Sequence, residues 1–187
     1  MSDIAILKEM IQESATVPLE DSYGKKKVTL REPDLPNCFV TIHGMPDDAQ
    51  VIVIKADAFT SPKAVFTGLK GECKRADFII VADTEKTKVI LCIEMKAKAK
   101  TSLEWEIIQQ LKGAQCFVAY CQKIGKEFWS AKQFLDAYVY RFVTIRNINI
   151  PKKPTREVIN DEHNRPEKML KISSPHYLQF NHLISGR

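Results

Sequence analysis

The sequence is short of the features that mark most function classes. No apolar stretch is long enough to span a membrane. The N-terminus, MSDIAILKEMIQES, is charged throughout and has no apolar core ahead of a cleavage site, so no signal peptide is expected. The cysteines, Cys38, Cys73, Cys92, Cys116 and Cys121, are odd in number and form no CxxC pair. That pattern argues against a disulfide framework and fits a reduced, cytoplasmic protein. No ligand cluster has the spacing of a structural zinc site. The histidines, His43, His163, His176 and His182, are scattered. There is no P-loop, no Rossmann glycine pattern and no serine-nucleophile elbow. Aromatic and basic residues do not interleave into a base-stacking platform. Internal repeats and low-complexity tracts are also missing. Charge of one sign is not in large excess: 28 Lys and Arg against 23 Asp and Glu leave a formal charge of +5. This permits an anionic partner without establishing one.

What is present is a chain of 187 residues, 44% hydrophobic and 27% charged, which is the balance of one globular domain with a sizeable core. Ile4, Leu7 and Ile11 recur at helical spacing, with Ser2 or Asp3 as cap, and predict a helix over Asp3 to Glu13. Val17 to Lys27 carries Pro18 and Gly24 and reads as loop. Val28 to Arg31, Cys38 to His43 and Gln50 to Lys55 read as short strands, and Ala64 to Leu69 as a helical turn or a strand. A long amphipathic helix is expected over Ser102 to Ile124, from Ile107, Leu111, Ala114, Val118 and Cys121. Thr101 or Ser102 would cap it, Glu104 and Glu106 would favour its first turn, and Gly125 would stop it. A short helix over Ala131 to Asp136 would precede a strand over Ala137 to Ile145. Trp105, Trp129, Phe128, Tyr138 and Tyr140 read as core aromatics. From about residue 151 the chain turns loop-rich and basic, with Lys168 to Ile172 and His176 to Ile184 apolar enough to pack back onto the domain.

The most informative stretch is Ala76 to Lys100, ADFIIVADTEKTKVILCIEMKAKAK. Two apolar runs, Phe78 to Ala82 and Val89 to Ile93, flank the polar turn Asp83 to Thr87 and predict a β-hairpin. Side chains alternate along a strand, so Ile90, Cys92, Glu94 and Lys96 share one face and Val89, Leu91, Ile93 and Met95 the other. Antiparallel pairing brings the start of the first strand beside the end of the second. Asp77, Glu94 and Lys96 are thereby expected at one edge of a buried sheet, where charges need partners.

Asp77, followed after an intervening stretch by Glu94-Met95-Lys96, resembles the PD-(D/E)XK motif of the restriction-endonuclease-like nucleases, with Ala76 in the place of the family's proline. The resemblance implies an α/β domain with an αβββαβ core, a central mixed sheet flanked by α-helices. It also implies a metal-dependent nuclease hydrolysing phosphodiester bonds, with DNA as substrate and a homodimer as a common assembly. Asp77 and Glu94, with the Met95 carbonyl, would hold Mg²⁺, for which Mn²⁺ would substitute. Lys96 would orient the attacking water or stabilise the transition state. The family adds a Gln or Glu from a neighbouring helix, for which Gln110 is the choice over Gln109 and Glu72. Lys98 and Lys100 would extend the charged face.

Bland readings compete with each of these. Glu94 and Lys96 could be an ordinary ion pair. A second E-x-K triplet stands at Glu72-Cys73-Lys74, with Asp57 upstream. Cys92 could be mere buried packing. A catalytically silent member of the same fold, binding nucleic acid or protein, is the alternative function.

Overall fold

The computed structural model describes residues 1–32, 35, 37–97, 103–148, 162–173, 175 and 177–185. Lys98, Lys100, Thr101, Ser102, His176 and the stretch 149–161, which includes the start of the expected C-terminal loop, lie outside the described residues.

The described residues form a mixed α/β structure. Helix α1 (Asp3–Met10) comes first, with Ser2 Oγ accepting the Ala5 amide as its cap. Strands β1 (Glu20–Ser22), β2 (Lys25–Arg31) and β3 (Phe39–Met45) follow as an antiparallel meander. Next come β4 (Val51–Lys55), β5 (Phe78–Asp83), β6 (Lys88–Lys96) and the long helix α2 (Glu104–Phe128). The chain closes with β7 (Val139–Arg146), β8 (Leu170–Ser173), β9 (Leu178–Gln179) and α3 (Phe180–Ile184). One sheet has the order β4-β5-β6-β7-β8, antiparallel from β4 to β6 and parallel from β6 to β8. The other has the order β1-β2-β3-β9, with β9 parallel to β3.

The five-stranded sheet is buried on both faces, which is why its strands read as nearly unbroken apolar runs. Ile79, Val81, Ile90 and Cys92 pack against α1 and α2. Ile80, Leu91, Ile93 and Met95 pack against Val28, Leu30, Val40 and Ile42 of the second sheet, with Phe180 and Leu183 of α3. The expectation of helices on both faces is therefore corrected. Helices cover one face, and a β-sheet with the short α3 covers the other. The expected strands at Val28 to Arg31 and Cys38 to His43 do form, the latter from Phe39, but in that second sheet.

Several local expectations also change. The stretch 17–27 is not all loop. Tyr23 and Gly24 both take left-handed backbone, with φ of 50° and 72°, and this turn joins β1 to β2. Helix α2 runs through Gly125 rather than stopping there. A Cβ at Gly125 would lie 2.2 Å from Phe134 Cδ1, so the glycine admits a close neighbour and does not cap the helix. Residues 132–137 form consecutive turns where a helix over 131–136 is expected, with Leu135 at φ 58°. Tyr138 is buried, but Trp105 is 54% and Phe128 80% exposed, so these two are not core aromatics. Trp105 is instead covered by the Lys74 ammonium, 4.7 Å from its ring centroid. The C-terminal residues do pack back, since β8 extends the first sheet and β9 the second. Among the described residues no helix is long and apolar enough to cross a membrane.

Candidate active site

The site is built at the edge of the five-stranded sheet where β6 ends and β5 begins. In the β5–β6 ladder Phe78 pairs with Ile93, and the Asp77 amide donates to the Ile93 carbonyl at 3.2 Å. This register sets Asp77 beside Glu94. The Asp77 carboxylate then accepts the Met95 amide at 2.6 Å and fastens the start of one strand to the end of the other. Glu94 follows Cys92 on the helix-facing side of β6 and is wholly buried. Lys96, one pleat further, lies with Nζ 2.5 Å from Glu94 Oε1. That contact is an ion pair, and Lys96 is the charge partner Glu94 has among the described residues; Glu94 Oε2 has no hydrogen-bond partner among them. The sequence-predicted Asp77, Glu94 and Lys96 are thus brought together.

Their electrostatics follow from burial. Burial pushes the Asp77 carboxyl up to about 7, against the pull of the Met95 amide; Glu32 and Asp57 raise it further and Lys96 opposes them. Glu94 is raised well above the usual carboxylate range, by burial first and by Asp77 second, with Lys96 as the counterweight. Burial works against the Lys96 ammonium, yet Glu94, Asp77 and Glu32 together hold its pKa above the ordinary lysine value. Two acids share Lys96 in a low-dielectric setting.

No family model, no curated protein and no solved structure matches the chain.

Other residues join or leave the picture. Glu32, just beyond β2, acts electrostatically on Asp77, Glu94 and Lys96 and was not singled out from the sequence. It approaches through the packing of the two sheets, and the only sequence signal is an acid ending a strand before Pro33. Thr144 pairs with Glu94 across the β6–β7 ladder, and Arg146 with Lys96. Among the described residues Thr144 Oγ1 and Arg146 Nε and Nη2 are buried without a hydrogen-bond partner, beside Glu94 and Lys96 across the ladder. Gln110 is half-buried on α2, and among the described residues no hydrogen bond joins it to Asp77, Glu94 or Lys96. Gln109 packs against Gly71. Glu72 is exposed in a turn, where it accepts Thr67 Oγ1 and the Gly68 and Lys70 amides. Its own backbone amide first, then those of Lys70 and Gly68, lower its pKa. The second E-x-K triplet is therefore a loop brace off any strand. Cys92 is wholly buried and its thiol is raised by burial, which fits packing. His163 is also buried, with Nε2 2.8 Å from the Leu183 carbonyl, and His43 stacks on Tyr177.

The donor set can be tested against a metal on these observations. Among the described residues no group of three or more His, Cys, Asp or Glu side chains is arranged around one point. A hard cation such as Mg²⁺ does not need one, because it keeps several waters and takes one or two carboxylates. Two neighbouring acidic side chains, Asp77 and Glu94, suit such an ion. Among the described residues no thiol or imidazole joins Asp77 and Glu94 in a ligand cluster of the kind soft metals take.

Proposed function

We propose that this chain is a metal-dependent nuclease that hydrolyses phosphodiester bonds, in DNA, with a PD-(D/E)XK type of site. The observation that carries the reading is the convergence of Asp77, Glu94 and Lys96 at one sheet edge, with Glu94 buried and paired with Lys96. Two acids buried beside a single ammonium carry a desolvation cost on the order of several kcal/mol that a bound cation would offset. The order of elements supports the reading as well. Helix α1, the antiparallel strands β4, β5 and β6, the helix α2 and the parallel strand β7 give an αβββαβ succession, interrupted by the meander β1 to β3.

Asp77 and Glu94, with the Met95 carbonyl, would hold Mg²⁺ or Mn²⁺. When bound, the ion supplies an acidified water and neutralises charge growing on the phosphoryl oxygens. Lys96 keeps its proton beside Glu94 and so presents a fixed positive charge toward the attacking water and the phosphoryl group. The Met95 amide holds Asp77 in one orientation before substrate arrives. Gln110 remains the proposed helix residue near the reacting water, and a homodimer the proposed assembly for cutting both strands.

One observation favours the second reading, a catalytically silent module of the same fold that binds nucleic acid or protein. The Asp77–Met95 bond already gives Asp77 a structural task, so that residue does not by itself require a metal. Calorimetric titration with Mn²⁺ separates the two. The nuclease reading expects saturable binding to the wild type and none to Glu94→Gln. Equal heats from both proteins would remove it.

A further inference from the structure

The two sheets differ in how far they are covered. The five-stranded sheet is buried on both faces, the four-stranded sheet on one. Val28 and Leu30 of β2 and Val40 and Ile42 of β3 face the core. Side chains alternate along a strand, so Lys27, Thr29 and Arg31 stand on the outer face of β2, and Phe39, Thr41 and His43 on that of β3. The register sets them opposite one another: Lys27 with His43, Thr29 with Thr41, Arg31 with Phe39. Leu178 of β9 turns to the core, which leaves Tyr177, just before that strand, and Gln179 on the outer face. None of these outer residues is buried.

Two large rings stand on this face, Phe39 at 41% and Tyr177 at 62% exposure. Each is steadied from one side. The Arg31 guanidinium carbon lies 5.0 Å from the Phe39 ring centroid. The His43 ring lies 4.4 Å from that of Tyr177, at 22° to it. Gln179 Nε2 donates to the Tyr177 hydroxyl at 2.6 Å and holds the polar end of the ring. Gly44 makes room for that contact. Its backbone is left-handed, with φ 67°, and a Cβ there would fall 2.8 Å from Gln179 Oε1. The two stacks stand four residues apart along β3, or about 13 Å of strand. Between them the Thr29 and Thr41 hydroxyls lie 3.3 Å apart. Lys25, Lys27 and Arg31 share the face with one acid, Glu20, which pairs with Lys27 at 3.2 Å, so the face is net positive.

A ring held in place by a neighbour loses little freedom when a second flat group stacks on it. Two such rings, with hydroxyls between them and cations around them, suit a ligand made of flat groups joined by anions. A single nucleic-acid strand has that chemistry: its bases stack on aromatic and guanidinium planes, and its phosphates meet the lysines. A duplex keeps the flat faces of its bases inside its own stack and does not fit.

We propose that the outer face of the four-stranded sheet binds a single nucleic-acid strand, with one base stacked at Tyr177 and another at the Arg31–Phe39 pair. The surface shares no residue with Asp77, Glu94 and Lys96, and it does not rest on the nuclease reading.

The test is fluorescence anisotropy of a short fluorescein-labelled oligothymidylate with the native chain in EDTA, beside an oligouridylate of equal length. Either strand binds saturably, and the tighter of the two names the sugar. Tyr177→Leu and Phe39→Leu each raise Kd about tenfold, the scale of one lost base stack. Tyr177→Phe keeps the ring and most of the affinity. Lys25→Met lowers the slope of log Kd against log salt by about 0.7, the value for one phosphate contact on a single strand. Phe128→Leu, an exposed aromatic at the end of α2 beyond the other face of the five-stranded sheet, leaves Kd unchanged. A strand carrying 2-aminopurine is quenched on binding the native chain and less so on binding Tyr177→Leu; a merely structural tyrosine would shift the melting temperature and leave the quenching of the bound strand as it was. A Kd for Tyr177→Leu and Phe39→Leu within about twofold of the native value, an equal loss in Phe128→Leu, equal binding of a duplex, or no saturable binding of either strand overturns the proposal. So does a dimer in sedimentation that Tyr177→Leu breaks, in a protein that binds no strand, since the face then meets a second copy of the chain. The two readings fail separately, because this binding is measured without metal and without cutting.

Discussion

The Asp77 carboxylate receives the Met95 amide at 2.6 Å, so one acid both latches β5 to β6 and stands beside Glu94. These two tasks can be separated. Asp77→Asn keeps an oxygen acceptor for the Met95 amide and removes the charge; Asp77→Ala removes both. Asp77→Ala should lose about 1–2 kcal/mol from the abandoned amide donor. Asp77→Asn should be at least as stable as the native chain at pH 8, and inactive. Urea unfolding midpoints together with a cleavage assay check both. An Asp77→Asn protein as unstable as Asp77→Ala would show that the carboxylate charge, and not the acceptor, holds the strands.

The metal-free protein should be less stable in mild base than in mild acid. An Asp whose folded pKa is about 7 instead of its usual value near 4 binds its proton more tightly folded than unfolded. Below the unfolded value both states are protonated and the group is silent. As pH rises from there toward 7, the unfolded chain ionises freely and the folded one resists, so stability falls, and it levels off above 7. Glu94 shifts in the same direction and adds to the slope. Urea midpoints in EDTA should therefore be higher at pH 5 than at pH 8, and the difference should shrink in Asp77→Asn. A midpoint that rises with pH across this window would refute the assigned burial of the pair.

Lys96→Ala should bind Mn²⁺ with an affinity close to that of the native protein and lose about a hundredfold or more in kcat, the scale typical of removing one preorganised charge from a reaction site. A variant that cuts like the native protein would end the assignment of Lys96 and of the motif with it.

The fold makes its own demand at Gly125. Its missing Cβ leaves room for the Phe134 ring, and Ile107, Leu111 and Val118 on the same helix are each buried against the sheet, where a side chain of this size stabilises by about 1.5–3 kcal/mol. Gly125→Ala should improve helix propensity yet destabilise the protein by about 1–3 kcal/mol through overpacking. A rise in melting temperature would mean that Phe134 moves freely aside.

The hairpin was legible in the sequence because its strands are buried on both faces and bounded by a polar turn. Strand alternation then set Glu94 and Lys96 on one face without further information. The long helix was legible from the spacing of Ile107, Leu111, Ala114, Val118 and Cys121, all of which are buried. Its end was not, since Gly125 answers to a tertiary neighbour and a glycine that ends a helix looks the same in sequence. The second sheet escaped for a similar reason. Val28 to Arg31 reads as a strand in either sheet, and only packing decides which one it joins. Glu32 and Tyr177 escaped because each reaches its place through contacts with elements distant in the chain. Trp105 was misplaced because an aromatic ring can be sheltered by a lysine at the surface as well as by a core.

The central claim is that Asp77, Glu94 and Lys96 form a working metal-dependent phosphodiesterase site. Its most direct test is cleavage of supercoiled and branched DNA with Mg²⁺ or Mn²⁺, comparing the native protein with Glu94→Ala from identical preparations. The account predicts cutting by the native protein alone, abolished by EDTA. Equal cutting by both proteins, or none by either with any of these substrates and metals, would contradict it.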